Sequence, residues 1–432
     1  MKKKIILIIL ISLLLIISLL IKTNVLNLNE FIFNKLPIKT QVIIRNIKSN
    51  AKSDHSLTHI FSNFFNDYNV KFLPETQLIN INIKKKKINF DESFQLTKGK
   101  IEYITKMSDS DKTHFFSFYI ESYKNYIILS DYIGNIYTFP DSELKNNKKQ
   151  ITPLRIKSNL NSKKILDTFV YKDELFVSFS NKIKDSCYNW NISKAKINKE
   201  KLDFKLIFSS DECTFQNFYQ PHGGRMQKYN HYGADGILLT IGQNSNVELS
   251  ENSIIGKILF IPLDSSKIVE FSRGHRNTQG LLSYNGVILS TEHGPRGGDE
   301  INNIEFQKDY GWPKASYGEP YGPKKNKPKF FKEHKKHGFK EPLFAFSKAV
   351  GISELTNIPN TFSNFWIDNF LISSLWGQSI YRMKFDNNFN KTIFLEKIYI
   401  GQRIRDLKYN NRLNVILLAL EEKGEIAIIT NK

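Results

Sequence analysis

The stretch "GHRNTQGLLSYNGVILSTEHGPRGGDEINNIEFQKDYGWP", residues 274–313, concentrates Gly, Pro, His, Arg and Trp in a chain that is otherwise rich in Lys, Ile and Asn. Within it, polar clusters separated by glycines surround a strand-like run, "NGVILSTE" at 285–292. A short β-branched and aliphatic run bounded by Gly is typical of a β-strand entered through a tight turn. The stretch therefore predicts β-strands joined by loops whose side chains can bind a ligand or take part in catalysis.

The same pattern extends along the chain from about residue 68 to the C-terminus. Short β-branched and aromatic runs alternate with turns, for example at 125–139, 174–181, 235–242, 369–385 and 414–430. Almost nothing after residue 70 has the spacing of a long amphipathic helix. Six four-stranded blades of about 60 residues account for the length better than one β-sandwich does. We therefore predict an all-β fold, a six-bladed β-propeller over residues 67–432; a pair of β-sandwich domains is the alternative.

The N-terminus has the features of a membrane anchor. Lysines at 2–4 precede residues 5–21, an apolar run without a charge, which as a helix would be about 26 Å long. Residues 19–22 lack a small-residue cleavage pattern, which favours an uncleaved anchor over a removed signal peptide. We predict an N-terminal transmembrane helix at 1–22 and a juxtamembrane stalk at 23–66. Positive charge before the span predicts a protein anchored in the inner membrane, with its main domain in the periplasm.

Charge and cysteine content narrow the possible functions. The formal net charge of +20 is spread along all 432 residues as Lys among Asn and Ile. A nucleic-acid-binding protein is expected to concentrate Arg and Lys on one face and to carry a recognisable module, and the sequence has neither. The two cysteines, Cys187 and Cys213, lie in the part predicted to be exported, where two thiols are expected to form a disulfide. Two thiols that never meet are the alternative.

The segment "STEHGPRGGDEIN" has the composition of a calcium-binding loop. Three carboxylates, Glu292, Asp299 and Glu300, surround a Gly-Pro and a Gly-Gly step. Carboxylates, and backbone carbonyls that glycines turn inward, are the hard oxygen ligands that Ca²⁺ prefers. A Gly-rich turn with solvated acids is the alternative. By contrast, His334 and His337 lie among lysines in a loop, and we expect them to be solvated.

Two arginine-containing segments predict an anion site. In "GHRN", Arg276 and Asn277 precede a strand, and an Arg fork binds a carboxylate or a quinone oxygen through two hydrogen bonds. In "GQRIRDL", Arg403 and Arg405 lie on one face of a strand and Asp406 lies on the other. Two parallel Arg side chains repel each other unless an anion or an acid lies between them. A bound anion or a structural salt-bridge ladder is therefore expected there.

Together, these segments resemble the soluble, pyrroloquinoline quinone (PQQ)-dependent glucose and aldose sugar dehydrogenases, the glucose/sorbosone dehydrogenase type of six-bladed propeller. The matching segments are "GHRNTQGL", "EHGPRGGDEIN", "YGWPKASYG" and "RIRD", in the family's order and spacing. The resemblance is dense over 219–322 and 369–430 and faint before residue 200. It implies an oxidoreductase that transfers a hydride from a sugar or another alcohol to a quinone held by Ca²⁺.

The resemblance also implies roles for individual residues. The backbone carbonyls of Gly294 and Pro295 would hold the Ca²⁺ that also grips PQQ, and Glu300 and the Tyr310 carbonyl would bind a second, structural Ca²⁺. The residues placed at the cofactor are Arg225, Arg276, Asn277, Trp376, Arg403 and Arg405. A cofactor with three carboxylates requires several arginines, and Ca²⁺ polarises the quinone carbonyl that accepts the hydride.

The match departs from the family at the catalytic base. Family members place a His four residues before the Arg of an H-x-x-G-R motif, where it removes the proton of the sugar hydroxyl. Here "QPHGGRM" puts His222 three residues before Arg225 and puts Pro221 at the position of the base. His222 is the predicted base, reached through a local bulge. In addition, Trp376 replaces a cofactor-binding Lys or Arg, and Gln243 replaces an Asp.

Two functions from different classes follow. The first is a membrane-anchored, PQQ-dependent sugar dehydrogenase with a sugar as substrate and with PQQ and Ca²⁺ as cofactors. The second is a catalytically impaired, calcium-braced propeller that binds an anionic sugar, a small anion or a protein partner. The intact Arg and Gly-Pro sets favour the enzyme, whereas Pro221 and Trp376 favour the binding protein.

Overall fold

The computed structural model describes residues 81–90, 117–162, 164–184, 187–215, 223–243, 250–264, 266–321 and 329–431. The predicted anchor at 1–22 and stalk at 23–66 lie outside these ranges. Within the ranges, no helix is both long enough and apolar enough to cross a bilayer.

The described strands form six sheets, which we call blades 1 to 6. Blade 1 consists of β2 (Phe118–Tyr123), β3 (Tyr126–Asp131), β4 (Ile136–Pro140), β6 (Leu154–Ser158) and β10 (Lys201–Leu202). Blade 2 consists of β7 (Lys164–Tyr171), β8 (Glu174–Lys184), β9 (Cys187–Lys196), β11 (Lys205–Ser209) and β12 (Thr214–Phe215). Blade 3 consists of β13 (Gly223–His231), β14 (Ala234–Ile241), β15 (Lys257–Pro262) and β16 (Val269–Arg273).

The other three blades follow the same plan. Blade 4 consists of β17 (Thr278–Tyr284), β18 (Val287–Glu292), β19 (Asp299–Ile304) and β20 (Phe344–Phe346). Blade 5 consists of β21 (Ile352–Asn357), β22 (Asn369–Ser374), β23 (Ser379–Phe385) and β24 (Thr392–Tyr399). Blade 6 consists of β25 (Ile404–Asn410), β26 (Val415–Leu420), β27 (Glu425–Asn431), β1 (Ile81–Ile88) and β5 (Gln150–Ile151). Short 3₁₀ helices span Asp141–Leu144, His334–His337 and Asn364–Trp366.

Tight turns encoded by local sequence fold the blades. In the opening stretch, Asn285 and Gly286 join β17 to β18 with φ angles of 47° and 80°. A two-residue turn with positive φ at both positions matches the right-handed twist of the strands it joins, and Asn-Gly adopts it with little strain. This dipeptide therefore fixes the hairpin that presents the following Gly-Pro loop.

The first strand of each blade lines the axis of the propeller. β2, β7, β13, β17, β21 and β25 contact one another in that order, and β25 contacts β2, which closes the ring. Six apolar clusters fill the gaps between neighbouring blades. Between blades 6 and 1, for example, Phe118 and Tyr137 share a cluster with Leu417 and Ile426. The prediction of an all-β, six-bladed propeller is confirmed, and the alternative of two sandwiches is wrong.

Blade 6 is closed by the earliest described strand. β1 pairs antiparallel with β27 from Ile81 to Lys87. Ile88 at its end is buried in the apolar cluster between blades 6 and 1. The ammonium group of Lys86 is turned inward and donates to the carbonyls of Glu143 and Asn146 in blade 1. β1 therefore completes one blade and ties it to the next.

A disulfide joins Cys187, the first residue of β9, to Cys213, which precedes β12. Their Cα atoms lie 5.5 Å apart, within the range that a disulfide spans. The predicted pairing is confirmed. It holds β12 against β9 just before the segment that leads to blade 3.

Five of the six inner strands change register near their first residues. The shifts fall at 165–167, 223–226, 278–280, 352–355 and 404–406. A bulge of this kind re-aims side chains and is common beside functional sites. Five polar residues lie within the shifts: Arg225, Gln279, Ser353, Glu354 and Arg405.

Candidate functional site

One end of the propeller carries the segments that the sequence singles out. Because strands alternate in direction within a blade, the connection from the second to the third strand lies at the same end as the connection to the next blade. The connections at this end include 274–277, 293–298, 375–378 and 400–403. We call it the site end.

Arg403 and Arg405 share one buried carboxylate, Glu421. The Nε atom of Arg403 lies 2.6 Å from its Oε1 and the Nε atom of Arg405 lies 2.8 Å from its Oε2. Ser117 of blade 1 donates to the same Oε2 at 2.6 Å. Burial alone would raise the pKa of Glu421, but the two arginines and Ser117 outweigh it and lower the pKa to about 2. The acid expected between the arginines is therefore present, and it holds both guanidinium groups side by side.

A chain of hydrogen bonds connects these arginines to the "GHRN" segment. Arg405 Nη1 donates to Gln279 Oε1 at 3.3 Å, and Gln279 Nε2 donates to Asn277 Oδ1 at 2.9 Å. The same Asn277 oxygen accepts from the N–H of Gly223, at 3.0 Å, where blade 3 begins. Blades 3, 4 and 6 thus bring residues near 223, 277 and 405 to one place.

Arg276 lies beside the carbonyl of His293. Its Nη1 donates to that oxygen at 2.9 Å, and its guanidinium group lies 5.4 Å from the centre of the Trp312 ring. Burial lowers the pKa of His293, so the ring is neutral. His293 Nε2 donates to the Ile352 carbonyl at 2.5 Å, which leaves Nδ1 to accept from Asn277 at 3.4 Å. Both imidazole nitrogens are therefore engaged in positioning the loop.

Asp299 shapes the Gly-Pro loop between β18 and β19. Its Oδ1 accepts from the N–H of Gly294 at 3.0 Å, and its Oδ2 accepts from the two N–H groups of residues 350–351 at 2.8 and 2.6 Å. A side chain at Gly294 would clash with the carbonyl oxygens of Gly297 and Gly298. The carboxylate of Asp299 is thus committed to backbone amides, and carbonyl oxygens crowd around Gly294.

Glu292 is also committed within the protein. Its Oε1 accepts from the N–H of Arg276, and its Oε2 lies 3.0 Å from His275 Nδ1 and 3.3 Å from Thr278 Oγ1. Glu292 therefore organises the connection between blades 3 and 4, whereas Asp299 joins the Gly-Pro loop to the connection between blades 4 and 5. These two carboxylates do not face the loop carbonyls as free ligands.

Glu300, the third carboxylate, faces a small cavity. The cavity has a volume of about 10 Å³, which matches one water molecule or one ion, and Glu292, Tyr310 and Trp312 also line it. Burial, reinforced by Glu292, raises the pKa of Glu300 well above its ordinary value. Among the described residues, no three His, Cys, Asp or Glu side chains cluster as metal ligands. A cation at Glu300 would therefore depend on backbone carbonyls such as that of Tyr310.

His334 lies next to this cavity and not in solvent. The residue is 1% exposed, its ring stacks on Tyr317 with centroids 5.1 Å apart, and its Nε2 lies 3.7 Å from Glu300 Oε1. The expectation of a solvated His334 is wrong, because the 3₁₀ helix at His334–His337 turns its first side chain inward. His337 is exposed and stacks on Phe331, as expected of a surface residue.

Arg225 lies on the propeller axis in an ion-pair network. Its Nη1 lies 3.0 Å from Asp167, 2.8 Å from Glu354 and 3.7 Å from Asp406. Its Nη2 donates to the backbone carbonyl of Arg405 at 3.2 Å. The side chain is 2% exposed. Arg225 therefore binds carboxylates of the protein itself, and a cofactor contact, as predicted from the resemblance, would have to compete with them.

The network continues along the axis to Glu121 and Lys408, which lie 3.0 Å apart. Burial raises the pKa of Glu121 to about 8, although Lys408 opposes the shift. Burial likewise raises the pKa of Glu354 to about 7, against the effect of Arg225. The raised pKa values of Glu121 and Glu354 favour the neutral, protonated forms of these two side chains in the network.

His222 and Trp376 are the remaining residues predicted for the site. His222, the predicted base, and Pro221 lie outside the described residues. Trp376 is 66% exposed in the connection between β22 and β23, and its backbone adjoins Gly351, whose N–H donates to Asp299. Trp376 thus offers an open aromatic surface at the site end.

The comparison with known families decides the family of the chain. Residues 159–428 match the model of the glucose/sorbosone dehydrogenase family. The chain belongs to this family. The match includes the arginine segments, the Gly-Pro loop and Arg225 with its three carboxylate partners.

Two curated relatives of this glucose/sorbosone dehydrogenase-family chain resemble it in sequence. An uncharacterized protein of Synechocystis is 28% identical over 277 residues, which cover 54% of this chain and 62% of that protein. The aldose sugar dehydrogenase YliI of Escherichia coli K12 is 28% identical over 226 residues, which cover 46% of this chain and 59% of that protein. The chain thus spans about three fifths of the length of these relatives.

Solved structures share the fold of this glucose/sorbosone dehydrogenase-family member. The apo form of the soluble aldose sugar dehydrogenase of Escherichia coli superposes with a TM-score of 0.62 at 18% identity, over 82% of this chain and 100% of that chain. The PQQ-bound aldose sugar dehydrogenase of Streptomyces coelicolor has a TM-score of 0.55 at 14% identity, over 82% and 99%. At these identities the likeness establishes the fold.

Sequence reasoning missed three residues of the site: Gln279, Tyr321 and Glu421. Gln279 lies two positions after Asn277. Side chains two positions apart on a strand lie on the same face, so this spacing could have predicted that Gln279 lies beside Asn277. Tyr321 donates its hydroxyl hydrogen to the carbonyl of Pro295, and Glu421 lies in a turn far along the chain from Ser117. No local sequence pattern identifies hydrogen-bond partners that come from distant parts of the chain.

Proposed function

We propose that this chain is a PQQ-dependent sugar dehydrogenase that oxidises an aldose or a related alcohol. The observation that supports this most directly is the linkage of Arg276 and Asn277 to Arg403 and Arg405 through Gln279 at the site end. A cofactor with three carboxylates requires a concentration of guanidinium groups, and the Arg fork suits planar anions. We assign the binding of the carboxylates to these arginines.

The Gly-Pro loop fits the proposed calcium ion. We assign the backbone carbonyls of Gly294 and Pro295 to the Ca²⁺ at the cofactor, supported by the carbonyls that crowd around Gly294. A second Ca²⁺ would take the cavity beside Glu300, with the carbonyl of Tyr310 as a further ligand. Loss of the proton of the buried Glu300 carboxyl group would accompany binding there.

The proposed reaction separates a proton from a hydride. PQQ, bound with Ca²⁺, would supply the hydride acceptor. His222 would take the proton of the substrate hydroxyl as the adjacent carbon gives up its hydride, so the alcohol becomes a carbonyl. Asn277 would contribute by holding the loop in place, because its side chain accepts from Gly223 and donates to His293. The exposed Trp376 would offer a stacking face to a sugar.

We further propose that residues 1–22 anchor the protein in the inner membrane, with the propeller in the periplasm. The uncharged run after the N-terminal lysines supports this orientation. The disulfide between Cys187 and Cys213 also favours an oxidising compartment.

A binding protein without turnover is the second candidate function. It is favoured by the engagement of Arg225 with three carboxylates and by the replacement of a charged residue at Trp376. Pro221 and Gln243 remove two further groups that the family pattern supplies. In this case the arginines would bind an anionic sugar, a small anion or a protein partner.

The test uses the full-length chain in detergent, loaded with Ca²⁺ and PQQ, and follows dye reduction with a panel of aldoses. Turnover that His222→Ala abolishes and that the surface control His337→Ala preserves supports the dehydrogenase. Stoichiometric PQQ binding without turnover supports the binding protein. Absence of PQQ binding rejects the cofactor assignment.

A further inference from the structure

Tyr321 contacts both groups assigned above to the metal and the cofactor. Its hydroxyl donates to the carbonyl oxygen of Pro295. The guanidinium group of Arg276 hydrogen-bonds the same hydroxyl, and the guanidinium group of Arg296 lies 5.7 Å from the centre of the ring. One phenol thus joins the proposed calcium ligand to the proposed cofactor clamp.

The hydrogen bond between Tyr321 and Pro295 is not what holds the segment before Tyr321 against the Gly-Pro loop. The backbone groups of Arg296 and Glu319 pair in both directions, with N–H to carbonyl distances of 3.1 and 3.0 Å. These bonds dock the segment before Tyr321 onto the Gly-Pro loop. Tyr321 itself is 59% exposed, so little apolar packing opposes a rotation of its side chain.

We propose that the Tyr321 hydroxyl competes with Ca²⁺ for the carbonyl oxygen of Pro295 and must move aside before the ion binds there. The inference rests on the proposed calcium site. Ca²⁺ requires oxygen ligands at about 2.3–2.6 Å, and a phenol within hydrogen-bonding distance of the same carbonyl crowds that position. The hydroxyl also accepts from Arg276, so its oxygen is not presented to the metal.

Tyr321→Phe is therefore expected to strengthen calcium binding. Removing one hydrogen bond that competes with the ion should lower the Kd for Ca²⁺ by about two- to tenfold. Tyr399→Phe is the matched control, because Tyr399 is also an exposed tyrosine at the site end and its hydroxyl contacts Gln378 at 3.3 Å. Its Kd should equal that of the wild type.

The measurement is isothermal titration of the full-length chain in detergent with Ca²⁺ alone. Each titration is repeated with the same protein carrying Glu300→Gln in addition. This separates Ca²⁺ binding at the second cavity from Ca²⁺ binding at Pro295. Tighter binding by Tyr321→Phe supports the inference. Unchanged or weaker binding, in a wild type that does bind Ca²⁺, overturns the role of Tyr321 and leaves the proposed function standing. If neither the wild type nor Tyr321→Phe binds Ca²⁺, the calcium site of the proposed function is rejected, and the role of Tyr321 is rejected with it.

Discussion

At the scale of single residues, Glu421 makes the arginine pair possible. Two guanidinium groups next to each other repel, and burial increases that repulsion. Glu421 places one carboxylate oxygen on each of Arg403 and Arg405 and receives a third hydrogen bond from Ser117. The side chain thereby fixes the two cations at one place and connects blade 6 to blade 1.

Glu421→Gln should destabilise the protein by about 3 kcal/mol, because it leaves two partly buried arginines without their shared charge. Urea unfolding at neutral pH measures this loss. Glu422→Gln is the control, since that neighbouring carboxylate accepts from Gln378 at the surface, and its effect should stay within about 0.5 kcal/mol. Equal midpoints for Glu421→Gln and the wild type would contradict the role of Glu421.

The acid side of the stability profile should change in the same variant. The folded pKa of Glu421 is about 2 and its ordinary value is 4.5. Its contribution to stability is therefore fully present above pH 4.5 and disappears as the pH falls through about 2. Glu421→Gln should lack this part of the acid dependence.

The arginine pair also illustrates what sequence reasoning captures at this scale. The spacing of Arg403 and Arg405 predicted that an acid or an anion lies between them. It did not identify Glu421, because that carboxylate arrives from a turn after β26. Likewise, the lysines around His334 predicted solvent exposure, whereas the 3₁₀ helix turns the ring toward Glu300. Spacing defines a face, but the partner across that face depends on tertiary structure.

At the scale of strands, the register shifts of the inner strands decide what lies on the axis. Arg225 and Glu354 lie within such shifts, in blades 3 and 5, and meet at 2.8 Å. Asp167 and Asp406 complete the cluster from blades 2 and 6. One cation thus links four blades. The hairpins were predictable from alternating runs and turns, but the register shifts were not, because no residue pattern in the inner strands announces them.

Arg225→Met should destabilise the protein by about 3–5 kcal/mol, because it removes the guanidinium group that pairs with three buried carboxyl groups. Adding Glu354→Gln should restore part of the loss. Since the folded pKa of Glu354 is raised, its protonated form favours folding below pH 4.5, and this contribution is lost as the pH rises through about 7. The rescue by Glu354→Gln should therefore grow with pH.

A double-mutant cycle of Arg225 and Glu354, followed by urea unfolding at several pH values, measures this coupling. Lys228→Met is the control on the same strand, because Lys228 pairs with the half-exposed Asp235. Additive effects of Arg225→Met and Glu354→Gln would show that the network does not couple the blades.

At the scale of the whole molecule, the ring depends on β1. Ile88→Asp places a charge in the apolar cluster between blades 6 and 1 and should lower the free energy of unfolding by at least about 3 kcal/mol. Lys87→Asp, one residue earlier on the exposed face of the same strand, should have little effect. Thermal and urea unfolding compare the two, and similar losses would argue against closure through β1.

The whole-molecule architecture was accessible from sequence because six similar blades repeat one local pattern. The strand that closes the ring was harder to predict from the sequence, because β1 is rich in lysine and Lys86 is nevertheless buried. Its ammonium group is accommodated by the two carbonyls of blade 1 that it reaches. A buried lysine of this kind is recognisable only from the three-dimensional arrangement of its acceptors.

The pairing of β1 with β27 has a consequence for biosynthesis. The ribosome produces β1 before every other described strand and β27 after all of them. The edge of β1 that pairs with β27 therefore stays unpaired while the strands between them are made, and unpaired edges invite association with other chains. A chaperone that covers this edge of β1 during synthesis would therefore favour correct closure of blade 6.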